Sequence, residues 1–231
     1  MGKGSYQQNR LMSLFSAMLA HFGPLRWWPG DSPFEIAVGA VLTQNTAWRN
    51  VEKAIAGLRE KKALRPDILY SMSPAELEEL LRPSGFFRLK TRRLRALLEY
   101  LRSYPGWDAS PGNADLNFLR GADLSVLREE LLAVRGIGPE TADSILLYAL
   151  DLPTFVVDAY TMRIFSRHGI FPPDIPYDEA REYFMDRLPQ DVALYNEFHA
   201  LIVRTGNTFC KKSRPLCANC PLAEFLDHEV D

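Results

Sequence analysis

No stretch of the sequence approaches the ~18 consecutive apolar residues of a membrane span. The opening MGKGSYQQNR also has no apolar core of signal-peptide length. Its Met-Gly start fails the myristoylation pattern, because the sixth residue is Tyr6 rather than Ser or Thr. A charge excess is missing too: 27 Lys and Arg against 29 Asp and Glu give a net charge of −2. That excludes a uniformly basic nucleic-acid binder but leaves room for a local basic patch. Cysteine is scarce, and Cys210, Cys217 and Cys220 all lie in the tail. An odd, clustered set argues against a secreted disulfide framework and for a metal or cluster site in a reducing compartment. The expectation is a cytoplasmic protein with no membrane partner.

What is present is helical. The chain is 47% apolar over 231 residues, enough for one large domain or two small ones. Apolar residues recur at three and four through Leu11–Phe22, Pro33–Lys61, LKTRRLRALLEYLRSY, LSVLREELLAV, ETADSILLYAL, AYTMRIFSRHGI, DEAREYFMDRL and VALYNEFHALIVRTG. Ser32-Pro33, Ser73-Pro74 with Glu76, and Pro176 mark helix starts. Alternating strand runs, hairpin dipeptides and repeats of 20–50 residues are absent. The predicted fold is all-α, with roughly ten helices by this periodicity. GPLRWWPGDSP and YPGWDASPGNAD read as loops.

The most informative stretch is LLAVRGIGPETADSILLYAL. Leu131, Val134, Ile137, Ala142 and Ile145 have the spacing of two helices joined by a tight turn, with Arg135, Gly136, Ile137 and Gly138 between them. Glycine there permits torsions and close approaches denied to residues with a Cβ, and Pro139 suits the first position of a helix. Free amides beside such a loop can hold a phosphate without reading sequence. A plain helical hairpin is the alternative. Further on, Asp158 follows Val156-Val157 and opens a helix, which places its carboxylate near a positive helix end. A simple N-cap role is the alternative there.

Hairpin, apolar-Val-Asp helix start and cysteine tail together resemble the helix–hairpin–helix DNA glycosylases of the endonuclease III superfamily, and the motifs stand in that order from about Trp27 to Cys220. GAVLTQNT (Gly39–Thr46) and SGFFRLKTRRL (Ser84–Leu94) add to the likeness. Trp-Trp-Pro, RPSGF and the GIG-x-E-[ST]-AD-x-IL run are similar to the monofunctional 3-methyladenine glycosylases of the MagIII type. The resemblance implies two helical lobes, 25–152 and 1–24 plus 153–231, with the active site in the cleft between them. It also implies a monomer acting on double-stranded DNA that carries a damaged base.

A glycosylase extrudes a base and cleaves its N-glycosidic bond through an oxocarbenium-like sugar. The resemblance puts Asp158 at the essential aspartate, where a carboxylate stabilises developing charge and orients or deprotonates water. Bifunctional members carry a lysine nucleophile at the second position after Gly-x-Gly. Glu140 stands there, which implies hydrolysis without strand cleavage; an acid is also simply favoured in a first helical turn. Trp27, Trp28, Pro29 and Trp48, with Glu140, are implied to line the base pocket, where aromatic faces and cation–π contact suit an alkylated purine. Large aromatics also serve as ordinary core. Gln44 is implied to fill the gap left by the extruded nucleotide and Phe86 or Phe87 to wedge the opposite strand. Arg82, Arg88, Lys90, Arg92, Arg93 and Arg95, six basic residues within fourteen, read as a DNA-facing patch, with a solvated helix face as the alternative. Two other functions remain in view: removal of an oxidised or mismatched base, and a non-catalytic hairpin binder for which Asp158 has no use.

The tail reads Cys-x6-Cys-x2-Cys. The superfamily's iron–sulfur loop continues to a fourth cysteine, and Leu226 occupies that position. Three thiolates can hold a [4Fe-4S] cluster if Asp227, His228 or solvent completes it; a Cys3His zinc site and a metal-free loop are the alternatives.

Overall fold

The structure is a computed structural model that describes residues 3–25, 27–107 and 114–226. The described residues form α-helices and short 3-10 and π turns, with no strand among them, and the fold is all-α as expected. The chain divides into two compact units, Pro29–Leu152, and Met1–Trp28 with Pro153–Asp231.

The Pro29–Leu152 unit holds α2 (Pro33–Leu42), α3 (Trp48–Glu60), α4 (Pro66–Ser71), α5 (Pro74–Leu81), α6 (Phe87–Ser103), α7 (Leu124–Ala133) and α8 (Pro139–Ser144), the last continuing as a π turn over Ile145–Ala149. Ser32 caps α2 through the amide of Glu35. Ser73 and Glu76 close a reciprocal capping box on α5. The core is aliphatic, with Val38, Val41, Leu94, Leu98, Leu131 and Leu146 buried together. The periodic run Pro33–Lys61 is not one helix. It breaks at Thr43–Ala47, where Thr43 Oγ1 turns back to Ala40 O at 2.9 Å and Asn45 takes φ +53. Short hydroxyl side chains compete with the helix in this way, and the break brings Gln44 to a turn.

The other unit holds α1 (Lys3–Phe22), α9 (Ala159–Arg167), α10 (Tyr177–Met185), α11 (Val192–Thr208) and the cysteine tail. Its core is aromatic: Phe155 stacks on Phe184 at 4.0 Å between centroids, and Phe165 and Phe198 pack edge-on around them. Helices α9 and α11 cross closely at Gly206, where a Cβ would lie 2.3 Å from the Tyr160 ring. No helix among the described residues is long and apolar enough to cross a membrane.

Candidate nucleic-acid interface and active site

The hairpin spacing predicted from sequence is realised. Leu131, Val134, Ile137, Ala142 and Ile145 are all buried, so the two helices are locked through their apolar frame. Gly136 adopts φ +89, which an L side chain would resist, and a Cβ there would meet Arg93 Cγ at 2.6 Å. Gly138 has an ordinary extended φ of −94, but a Cβ on it would meet nothing within 4 Å. Gly136 therefore makes the turn, while Gly138 leaves open space in front of the α8 amides. Arg135 and Gly138 are exposed and Ile137 is turned inward. Arg128 on α7 fastens the second helix with a bidentate pair to Asp143, Nε to Oδ1 at 2.9 Å and Nη2 to Oδ2 at 3.1 Å.

Gln44 is brought against this hairpin. Its Nε2 donates to Thr141 Oγ1 at 2.9 Å and to Gly136 O at 3.3 Å, and Arg93 donates to its Oε1. Of the two phenylalanines offered as a wedge, Phe86 is 68% exposed in a left-handed conformation at φ +45. Phe87 instead packs against the core of its unit, with the Arg82 guanidinium 4.6 Å from its ring centroid. Phe87 is half-buried, which leaves Phe86 the more exposed of the two.

Lys90 is a correction to the DNA-facing set. It is 1% exposed, and its ammonium donates to Leu42 O at 2.7 Å, Ser84 O at 2.6 Å and Thr46 Oγ1, so it has no access to a phosphate. Burial, with the Arg93 charge beside it, brings its pKa down to about 8. The signal was available: Lys90 precedes Leu94, Leu97, Leu98 and Leu101 at helical spacing on the buried face of α6. The six-cation run disperses around the helix. Arg82 pairs with Glu79, Arg88 lies 3.7 Å from Glu78, Arg95 donates to Met72 O, and Arg93 is taken up by Gln44. Arg88 and Arg92 are the exposed members that follow Phe87 on α6.

Glu140 is exposed in the first turn of α8, and Trp48 opens α3 with one side packed on its unit's core. Trp27 and Trp28 are half-buried and meet edge to face at 5.6 Å, and Pro29, next in sequence, is exposed.

Asp158 is the N-cap of α9. Its Oδ1 accepts from the Thr161 amide at 2.7 Å and Thr161 Oγ1 at 2.9 Å. Its Oδ2 lies 3.8 Å from His199 Nε2 on α11. One oxygen thus holds the helix while the other is aimed away from the cap. His199 escaped the sequence reading because it sits among Tyr195, Phe198 and Ile202 on the buried face of α11, where it passes for core. Burial holds its imidazole below the usual histidine range, with Asp158 acting in the opposite sense. The unfolded chain therefore binds a proton below about pH 6.5 that the folded protein refuses, so stability is lost as pH falls through that value. Urea melts between pH 7.5 and 5 should show this decline, and His199→Gln should flatten it; an unchanged slope in the variant would contradict the assignment.

In the tail, Cys210, Cys217 and Cys220 are free thiols that line one partly open cavity together with Leu226, His168 and Arg167. Arg167 Nη1 approaches Cys210 Sγ at 3.2 Å and also donates to Lys211 O, while its Nη2 donates to Lys212 O. Burial pushes the Cys220 thiol up, and the two other cysteines add to the effect. Among the described residues no three His, Cys, Asp or Glu side chains converge on a single ion. Thiolates are soft donors that suit an iron–sulfur cluster or a zinc ion, so the residue types present fit either group. Asp227 and His228, considered as a fourth ligand, lie outside the described residues.

A buried-frame hairpin followed by a helix-capping aspartate, in an all-helical fold of two units, defines the class of helix–hairpin–helix DNA repair proteins. Residues 38–190 match the family described as HhH-GPD superfamily base excision DNA repair protein. A provisionally named DNA repair glycosylase of Methanocaldococcus jannaschii is 43% identical over 216 residues, 93% of this chain and 94% of that protein. Endonuclease III of Thermotoga maritima is 30% identical over 196 residues, 84% and 83% of the two chains. Among solved structures, Helicobacter pylori 3-methyladenine DNA glycosylase (MagIII) bound to 1,N6-ethenoadenine gives a TM-score of 0.71 at 29% identity, covering 87% of this chain and 97% of that one. A non-covalent endonuclease III–DNA complex gives 0.77 at 23% identity, with 95% of each chain covered, and shows the fold. The chain belongs to the HhH-GPD superfamily. The activity this membership carries is that of a DNA glycosylase in base excision repair.

Proposed function

We propose that the protein is a monofunctional glycosylase that flips out and hydrolytically removes alkylated purines of the 3-methyladenine kind from double-stranded DNA, acting as a monomer. Glu140 carries the monofunctional part: a carboxylate at the second position after the Gly-x-Gly turn cannot form the Schiff base from which lyase chemistry proceeds. The hairpin amides and Gly138 take a backbone phosphate, with Arg135 and Arg88 adding charge. Phe86 enters the stack, and Gln44 fills the space of the extruded nucleotide.

Asp158 supplies the chemistry. With Oδ1 engaged by the cap, Oδ2 is available to face the anomeric carbon, stabilise the oxocarbenium-like sugar and orient the attacking water. Trp27, Trp28 and Trp48 supply the π faces, which favour a cationic methylated purine over a neutral oxidised base. The likeness to the MagIII enzyme supports the alkylpurine choice. The 30% identity to Thermotoga endonuclease III supports a second reading, removal of another damaged base from the same fold. Cys210, Cys217 and Cys220 would hold an iron–sulfur cluster, whose chemistry there is to brace the tail rather than to act on the sugar.

Duplexes carrying 3-methyladenine, 1,N6-ethenoadenine, thymine glycol, 8-oxoguanine or a G·T mismatch separate the two readings. The expected result is release of the alkylated purines alone; release of thymine glycol or mismatched thymine in preference would overturn the alkylpurine assignment.

A further inference from the structure

Lys90 is an ammonium spent inside the protein, and its three partners come from three places. Leu42 O is the last carbonyl of α2, Thr46 Oγ1 belongs to the turn that carries Gln44, and Ser84 O belongs to the turn that carries Phe86. Three N–H donors meet three oxygens, which exhausts the donor set of a lysine. Thr46 Oγ1 also donates to Ser84 O at 2.6 Å, so the two turns are tied to each other as well as to the amine. Both turns hold non-glycine residues in left-handed backbone conformation, Asn45 at φ +53 and Phe86 at φ +45. Such residues persist only where the surroundings over-determine them. Arg93, one turn along the same helix, runs beneath Gly136 and donates to Gln44, which extends the tie to the hairpin. A methionine would fill the Lys90 position with less desolvation, so packing gives no account of the amine.

We propose that Lys90 is a positioning residue whose ammonium fixes the Gln44 turn and the Phe86 turn at one spacing in the free protein, so that both enter damaged duplex already ordered. Binding then avoids the ordering penalty that two mobile turns would carry. The proposal rests on the reading of these turns as DNA-facing, and its test separates the two.

Affinities of the full chain for a duplex with a tetrahydrofuran abasic analogue and for the undamaged duplex are measured by fluorescence anisotropy across a salt series, for wild type, Lys90→Met, Thr46→Val and Phe86→Ala. Lys90→Met is expected to lower the preference for the abasic duplex by about tenfold, a loss of about 1.4 kcal/mol. Its affinity for undamaged duplex and its salt slope should stay as in wild type, because the amine touches no phosphate. A direct phosphate contact would instead weaken both duplexes alike and reduce the salt slope by about one, and that result overturns the proposal. So does wild-type preference in folded Lys90→Met. Thr46→Val removes one of the three acceptors without changing charge and should lower the preference by roughly threefold, a share of the same 1.4 kcal/mol. If Lys90→Met does not fold, Thr46→Val decides alone, wild-type preference counting against. An unchanged preference in Phe86→Ala overturns the DNA-facing reading of the turn, and the proposal with it.

Discussion

Asp158→Asn should slow base release by roughly 10²–10⁴-fold, the range that a positioned acid–base group contributes, while the protein stays folded and keeps its affinity for duplex DNA. The substitution isolates charge from structure. Asparagine caps helices about as well as aspartate, so Oδ1 can still accept from the Thr161 amide and hydroxyl and α9 keeps its start. What disappears is the negative charge on the second oxygen, the one 3.8 Å from His199 and outside the cap. Single-turnover base release, with the melting temperature as control, checks this. Release at the wild-type rate would reduce Asp158 to a helix cap.

Asp143→Ala should destabilise the fold by about 3–5 kcal/mol, the usual consequence of breaking a buried pair from one side. Asp143 is 0% exposed and Arg128 14%, and two hydrogen bonds of 2.9 and 3.1 Å join them. The loss is a large fraction of the ~5–15 kcal/mol that holds a typical native protein. At about 2–4 °C per kcal/mol for a chain of this size, it corresponds to a fall of roughly 6–20 °C in Tm. The paired replacement Arg128→Met with Asp143→Leu should recover most of the loss, because neither charge then lies buried beside an apolar partner. Because the pair spans α7 and α8, the single variant should also weaken DNA binding through the hairpin. Calorimetry on both variants tests the point; a single variant within 1 kcal/mol of wild type, measured against that ~3–5 kcal/mol range, would contradict it.

Local periodicity and turn chemistry carried much of the fold. The hairpin was legible because glycine spacing and the apolar frame from Leu131 to Ile145 are near in sequence, and the caps at Ser32 and Ser73 follow from the residues beside them. The interruption of Pro33–Lys61 was not, because Thr-Gln-Asn-Thr contains neither proline nor glycine and the helix ends there through hydroxyl-to-carbonyl bonds. Long-range chemistry was the least legible. A count of cations between Arg82 and Arg95 cannot say that Lys90 turns inward to Leu42 and Ser84, or that Arg93 serves Gln44. The same holds for His199, more than forty positions from Asp158 and brought near it by the close crossing of α9 and α11 at Gly206. The gathering of three thiols and Leu226 around one cavity likewise depends on how the tail folds back on Arg163 and Arg167.

The central claim is hydrolysis of the glycosidic bond by a site that has a carboxylate in place of a nucleophilic amine. Its most direct test is a 3-methyladenine-bearing duplex incubated with the protein and resolved on a denaturing gel with and without alkali, a parallel sample receiving borohydride. The account predicts an intact strand until alkali is added and no protein–DNA adduct trapped by borohydride. Strand cleavage without alkali, together with a trapped adduct, would contradict it.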